Sequence, residues 1–235
     1  MNIYLLPRYA LPLLLLLCTA LLAGAARAEG PRITWDLKDA LKQVDRQAGD
    51  FQTLLARVEI VRRQLNGDET SREQGTILID KDGRIRMDMD SPNPRSYLLL
   101  NKELYIHYPE RKQVERYYLS RHKDRLEPFI RLGFTTTGKD LKNDFLLTSL
   151  GEQDIGNSRT LGLDLTPEKD GTREIVSGIQ LWIDQASWMP TRQLIASTAS
   201  GETIEINYSL TARNLNLNPD LFKAKWPRGT DKVKM

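Results

Sequence analysis

Cysteine and histidine are scarce in this sequence. The 235 residues include one cysteine, Cys18, and two histidines, His107 and His122. Because Cys18 lies in an N-terminal segment that we expect to be removed, disulfides, zinc thiolates and cysteine nucleophiles are excluded from the remaining chain. The sequence also lacks HExxH, GxSxG and any cluster with metal-ligand spacing, and we interpret His107 as a paired histidine within a strand. We therefore expect no metal, no cofactor and no catalytic residues.

An excess of charge of one sign is also missing. The chain has 34 lysine and arginine residues against 31 aspartate and glutamate residues. Nucleic-acid binding would need a concentrated basic face, which this balance does not indicate. One basic stretch is interleaved with Tyr117 and Tyr118, and we interpret it as a solvated strand pair. Contact with anionic lipid head groups or an acidic partner is the alternative. The stretch contains Arg111, Lys112, Arg116, Arg121, Lys123 and Arg125.

The first 28 residues have the three parts of a secretory signal peptide. Arg8 supplies the basic start, and Tyr9–Ala23 is a nearly continuous apolar run. Ala26 and Ala28 are the small residues that a signal peptidase needs just before its cleavage site. We therefore expect export to the periplasm, cleavage after Ala28 and a single domain over residues 29–235. An uncleaved anchor is the alternative, which the shortness of the apolar run disfavours.

The rest of the sequence predicts a helix followed mainly by strands. Leu37, Leu41 and Val44 recur at helical spacing, which predicts a helix over Trp35–Gln47 with Asp36 as its N-cap. A second, short helix is expected near Pro128. The pattern as a whole predicts one α+β domain with a large antiparallel sheet. Strands are predicted over Gln52–Leu65, Gly75–Ile79, Ile85–Asp90, Tyr97–Leu100, Leu104–Tyr108, Phe145–Leu150, Arg159–Leu165, Gly178–Asp184, Pro190–Ala196 and Thr203–Tyr208.

Two local patterns carry more specific information. After the hairpin turn Lys81-Asp82-Gly83, the apolar residues Ile85, Met87 and Met89 alternate with charged residues, which predicts one apolar and one polar face. Gly133–Asp140 nearly matches a phosphate-binding loop. Asp140, however, stands where such a loop needs Ser or Thr to reach magnesium, so we interpret this segment as a plain loop.

Several segments, in the right order, resemble the LolA family of outer-membrane lipoprotein carriers. The resemblance covers most of Trp35–Val233. It rests on Asp36-Leu37-Lys38 with Leu41, Phe51, Gly75–Ile79, Ile85–Met89 with Pro92, Asn101–Pro109, Gln113-Val114, Pro128-Phe129, Asn214-Leu215, Pro219, Leu221-Phe222 and Trp226–Gly229. The Arg-Pro that members often have at the first hairpin turn is Lys81-Asp82 here.

The resemblance implies an incomplete antiparallel β-barrel, a curved half-barrel sheet whose concave apolar cavity is covered by short helices and holds acyl chains. Unbranched thioether side chains such as Met87 and Met89 suit such a cavity because they repack readily. The alternative for these two methionines is ordinary core. The expected lipid-binding residues are Leu37, Leu41, Ile85, Met87, Met89, Leu98, Leu100, Leu104, Ile106, Phe129 and Leu132.

The resemblance also implies partners. A carrier of this family would receive lipoproteins from an inner-membrane ABC-type exporter, deliver them to an outer-membrane acceptor, and act as a monomer without covalent chemistry. Two other functions remain open. One is a periplasmic carrier of free lipid or another hydrophobic substrate that works with an envelope exporter. The other is an envelope-stress sensor of the same fold.

Overall fold

The computed structural model describes residues 35–119, Phe129 and 131–235, with Leu210 and Thr211 described by their backbone alone. In this part of the chain, twelve strands form one sheet. The predicted signal peptide lies outside these residues. The strands are β1 Thr53–Gln64, β2 Glu69–Asp80, β3 Ile85–Ser91, β4 Arg95–Leu100, β5 Glu103–Tyr108, β6 Gln113–Tyr118, β7 Phe145–Ile155, β8 Ser158–Pro167, β9 Val176–Asp184, β10 Pro190–Ser197, β11 Glu202–Arg213 and β12 Asp231–Lys234.

The sheet is large, curved and unclosed. Its strand order is β12-β6-β5-β4-β3-β2-β1-β11-β10-β9-β8-β7, so β12 and β7 form two separate edges. Neighbouring strands are antiparallel except for β12, which runs parallel to β6. The incomplete antiparallel barrel expected from the sequence is therefore confirmed, and each predicted strand matches an observed one.

The helices that lie fully within the described residues are few and short. They are α1 Leu37–Gly49, α2 Gly138–Asp144, α3 Asp170–Arg173 and a 3-10 helix at Pro219–Phe222. The carboxylate of Asp36 accepts a hydrogen bond from the backbone N–H of Asp39 at 2.7 Å, which confirms Asp36 as the N-cap of α1. The buried side chains of Leu41 and Val44 join the main core cluster with the sheet.

The interpretation of Gly133–Asp140 as a plain loop is wrong at its end, where α2 begins. Thr137 is the N-cap of α2, and its hydroxyl accepts from the backbone N–H of Asp140 while the Asp140 carboxylate accepts from the N–H of Thr137. This reciprocal pair is a capping box, and it supplies partners for N–H groups that the helix itself leaves unbonded. Asp140 therefore stabilises a helix start.

The two faces of the sheet have different covers. Ile85 pairs with Leu99, which pairs with Leu104, and these side chains point to the face against which α1 and α2 pack. We call it the helix-covered face. Leu98 belongs instead to a second cluster on the opposite face, where it packs with Leu78 and Phe222.

A C-terminal segment covers part of the opposite face. We call residues 215–234 the C-terminal strap, because the chain leaves β11 in the middle of the sheet and ends as β12 beside the edge strand β6. Phe222 is buried against Leu78 and Leu98. Trp226 stacks on the buried His107, with ring centroids 5.0 Å apart. The position of His107 within β5 agrees with its interpretation as a strand histidine.

Acid should loosen the strap through His107. Burial, and then the positive charge of Arg86, lower the pKa of His107 below its ordinary value of 6.5. Because the unfolded chain then binds this proton more readily than the folded chain, the free energy of unfolding should fall as the pH drops from about 7.5 to about 5.5. Urea unfolding at several pH values measures this slope. His107→Gln should flatten it, and an unchanged slope in that variant would contradict the assignment.

Candidate functional site on the helix-covered face

The helix-covered face is unevenly covered. Over β8 to β11 its side chains are fully buried, as at Leu163, Ile179 and Ile206, which are at most 3% exposed. Over β3 to β6 a group of apolar and aromatic side chains is only half-buried. We call this group the β3–β6 patch. It consists of Met87, Tyr97, Leu104, Ile106 and Tyr117, which strand register brings together because Met87 pairs with Tyr97, Tyr97 with Ile106, and Leu104 with Tyr117.

The expected lipid-binding residues divide into three groups. Met87, Leu104, Ile106 and Leu37 are half-buried on the helix-covered side. A second group fills the core of that side and is at most 6% exposed. It consists of Leu41, Ile85, Met89, Phe129 and Leu132. Pro128, which marks the start of the predicted short helix, lies outside the described residues.

Leu98 and Leu100 form the third group, and their expected position is wrong. Leu98 pairs with Arg86, and both residues alternate with the inward-facing Ile85 and Leu99. Side chains on a strand change face at every residue, so Leu98 and Leu100 lie on the opposite face. The sequence Tyr97-Leu98-Leu99-Leu100 is apolar throughout, and therefore contains no alternation from which its faces could be predicted. The same ambiguity hid Tyr97.

A polar margin borders the β3–β6 patch at β6. The carboxylate of Glu115 accepts hydrogen bonds from the Tyr117 hydroxyl at 2.8 Å, from the Gln113 amide at 3.0 Å and from the Tyr108 hydroxyl at 3.4 Å. Burial, and then the hydrogen bond to Glu115, raise the pKa of Tyr117 to about 12. Tyr117 is therefore a neutral hydrogen-bond donor at physiological pH. Part of this cluster is visible in the sequence, since Gln113, Glu115 and Tyr117 recur at every second residue and share one face of β6. The contribution of Tyr108 depends on the pairing of β5 with β6.

A buried ion pair lies at the end of the patch next to Met89. Arg95 pairs with Glu73 and also donates to the hydroxyl of Tyr97. Arg95 is opposite Met89 in the sheet, and Met89 is opposite Gly75, where a register shift breaks the ladder. A side chain at Gly75 would collide with the backbone of Asp88 and Met89. Glycine therefore lets β2 and β3 approach closely beneath this pair.

The segment that follows Phe129 is anchored to the sheet. The side-chain amide of Gln193 donates to the backbone carbonyl of Leu132 at 2.9 Å, and the hydroxyl of Tyr208 donates to Gln193 at 2.9 Å. Burial raises the pKa of Tyr208 and keeps it a neutral donor. Phe134 packs edge-on against the ring of Tyr208, with centroids 5.1 Å apart. These contacts hold Leu132 and Phe134 against the helix-covered face of β10 and β11.

The hairpin turn Lys81-Asp82-Gly83 borders the same segment. Gly83 has a φ of 78°, and a Cβ there would overlap the guanidinium of Arg131. An arginine therefore lies at this turn, but it is Arg131, which approaches the hairpin from outside. Family members often have an arginine within the turn itself.

The described residues also limit the chemistry of the site. Among them, no three histidine, cysteine, aspartate or glutamate side chains converge as a metal ion would require. In the same part of the chain, no helix has the length and apolar character needed to cross a membrane. The surface that the fold presents is an apolar patch with a hydrogen-bonding margin.

These features define an incomplete β-barrel whose inner face has an exposed apolar section. The profile of the family described as "Outer membrane lipoprotein carrier protein LolA" matches residues 57–225. The chain therefore belongs to the LolA family, whose members are carrier or binding proteins. The search of curated proteins gives no match.

Solved structures of similar fold come from several bacteria. An uncharacterized conserved protein from Thermus thermophilus has a TM-score of 0.53 at 12% identity, over 84% of this chain and 98% of that one. The lipoprotein LppX from Mycobacterium tuberculosis has a TM-score of 0.48 at 13% identity, over 78% and 99%. A putative outer membrane lipoprotein-sorting protein domain from Vibrio parahaemolyticus has a TM-score of 0.43 at 14% identity, over 79% and 95%. At such identities only the fold is comparable, and of these three structures only the one from Thermus thermophilus has a TM-score above 0.5.

Replacing Gln193 with leucine should lower the free energy of unfolding by removing the hydrogen bonds to Leu132 and Tyr208. Gln193→Leu leaves the hydroxyl of Tyr208 and the carbonyl of Leu132 buried without partners, so we expect a loss of about 2–4 kcal/mol in the free energy of unfolding. Gln180→Leu, at a half-buried position on the opposite face, should cost less than about 0.5 kcal/mol. Urea unfolding measures both, and equal effects would contradict the role assigned to Gln193.

Proposed function

We propose that the protein is an exported periplasmic carrier that binds the acyl chains of lipoproteins on its helix-covered face and carries them from the inner to the outer membrane. The observation that supports this most directly is the β3–β6 patch. Large side chains such as Met87 and Leu104 are half-buried there, on a face that is fully buried over β8 to β11. Apolar surface left open on the inner side of an incomplete barrel is available to an apolar ligand.

The size of the patch suits a carrier, which must release its cargo. Burial of one methylene group contributes about 0.8 kcal/mol, so complete burial of several acyl chains would make binding nearly irreversible. A patch of a few half-buried side chains contributes less binding free energy than complete burial does. Met87 adds adaptability, because its unbranched thioether side chain adopts new rotamers at little cost. Binding of this strength is compatible with transfer to an acceptor.

The proposed carrier needs a donor and an acceptor. By its family membership, we propose an inner-membrane exporter as the donor and an outer-membrane protein as the acceptor, with the signal peptide providing export. A carrier of free lipid would use the same patch, so the nature of the cargo requires an experiment that captures it.

Photo-crosslinking can identify the cargo. A photoreactive amino acid at Met87 should give adducts with lipoproteins when the protein is expressed with its signal peptide in a Gram-negative host and ultraviolet light is applied to intact cells. The same group at Leu100, which is also half-buried but lies on the opposite face, is the matched control and should give none. Adducts with free lipids alone would replace the lipoprotein cargo with a lipid. Equal adducts at both positions would contradict the assignment of the patch.

A charge in the patch should abolish ligand binding but preserve the fold. In Met87→Glu the carboxylate can reach water because the site is half-buried, whereas in Met89→Glu it would lie in the core, at a position 3% exposed. We expect Met87→Glu to unfold in urea within about 1 kcal/mol of the parent chain, and Met89→Glu to lose several kcal/mol. Displacement of a fluorescent fatty acid measures binding. Retained binding by Met87→Glu would contradict the proposal.

A further inference from the structure

Glu115 stands out among the carboxylates of the sheet. Along the hydrogen-bonding direction it follows Met87, Tyr97 and Ile106, since each pairs with the next across the strands. Its side chain therefore lies at the β6 end of the β3–β6 patch, on the same face. Its three hydrogen-bond donors, Tyr117, Gln113 and Tyr108, are all neutral side chains.

The other half-buried or buried glutamates of the sheet have cationic partners. In each case an arginine lies within 4.0 Å, whereas Glu115 has no salt bridge among the described residues. A carboxylate partly removed from water is costly when nothing of opposite charge compensates it. Glu115 is therefore suited to a cation that a ligand brings. The paired glutamates are Glu59, Glu73, Glu103, Glu152, Glu202 and Glu205.

Arg111 brings a positive charge to the same tyrosine that Glu115 contacts. Arg111 is exposed in the turn between β5 and β6, and its guanidinium carbon lies 3.7 Å from the ring centroid of Tyr108. The hydroxyl of the same Tyr108 donates to Glu115. Arg111 and Glu115 thus contact one tyrosine side chain without forming an ion pair with each other. Together they present one charge of each sign at the margin of an apolar surface.

We infer that this margin is a head-group subsite for a zwitterionic phospholipid, with Glu115 receiving the ammonium group and Arg111 the phosphate. The inference rests on the acyl-chain surface of the proposed function but names a phospholipid as a ligand of that surface, because the acyl chain of the same molecule would lie on Met87, Leu104 and Ile106. An anionic lipid offers no cation to Glu115, and a neutral acylglycerol offers no charge to either residue. The subsite therefore selects an amphiphile whose head group carries both charges, and it orients the acyl chain along the patch.

Three monoacyl lipids with the same acyl chain test this inference. We would titrate the purified protein with lysophosphatidylethanolamine, lysophosphatidylglycerol and monoacylglycerol, each below its critical micelle concentration, in a calorimeter. Lysophosphatidylethanolamine should bind about tenfold more tightly than lysophosphatidylglycerol, which is the expected effect of one charge-assisted contact at a half-buried site. Glu115→Gln keeps the size and the acceptor oxygen but removes the charge, and should reduce this preference to within about twofold.

Controls separate the subsite from the rest of the carrier. Glu110→Gln removes the same charge from an exposed position in the neighbouring turn and should leave the preference intact. Arg111→Gln should weaken both phosphate-bearing lipids severalfold and leave monoacylglycerol unchanged. Unchanged monoacylglycerol binding by Glu115→Gln would show that this variant is folded.

The outcomes distinguish the inference from the proposed function. Binding of the three lipids with equal affinity, or tighter binding of lysophosphatidylglycerol than of lysophosphatidylethanolamine, would overturn the head-group subsite while leaving an acyl-chain carrier in place. A preference that persists in Glu115→Gln would also overturn it. If none of the three lipids binds, acyl-chain binding by the β3–β6 patch, on which the proposed function depends, fails.

Discussion

The alternation of side chains between two faces is the constraint on which this structure depends. A sheet of twelve strands has two large surfaces, and apolar residues occur on both. Both surfaces must be shielded from water, and two unrelated covers do this, the helices on one face and the C-terminal strap on the other. Register decides which residue belongs to which cover, because a shift of one position would move every side chain of a strand to the opposite face.

The proposed function depends on the incompleteness of one cover. The helix-covered face is closed over β8 to β11, where residues such as Ile179 and Ile206 are buried as in any core. Over β3 to β6 the same face stays half-exposed, so its apolar side chains retain free energy that a ligand can release on binding. A buried core and the proposed binding surface therefore coexist on one sheet, since they are formed by different strands.

The charges of the sheet are mostly paired, but they differ at the two ends of the β3–β6 patch. Most carboxylates of the sheet that the structure describes form an ion pair with an arginine. The pair of Glu73 and Arg95 is neutral as a unit and closes one end of the β3–β6 patch. At the β6 end, Glu115 and Arg111 remain apart, and this margin is where the patch meets polar groups. Polarity therefore changes along the patch, which favours a ligand that has an apolar and a polar end.

Much of the architecture was predictable from local sequence. The spacing of Leu37, Leu41 and Val44 predicted α1, and strict alternation in Ile85–Met89 predicted both a strand and its inward face. Where every residue of a strand is apolar, as in Tyr97–Leu100, alternation is absent and the assignment of Leu98 and Leu100 failed. The strand β12 was missed as well, because Asp231–Lys234 is polar and is held by pairing with a strand more than 100 residues earlier.

By itself, the sequence determined the class of the fold, the helix that opens the domain, the turns and the inward face of β3, since these depend on periodicity and on residues close together in the chain. Only the tertiary structure decided which side chains of β4 to β6 share that face, which of them are buried and which half-exposed, and that Glu115 forms no salt bridge with any other described residue. Those properties depend on strand register and on covers contributed by distant segments. The position of a residue in the sequence does not encode what lies above it in the folded protein.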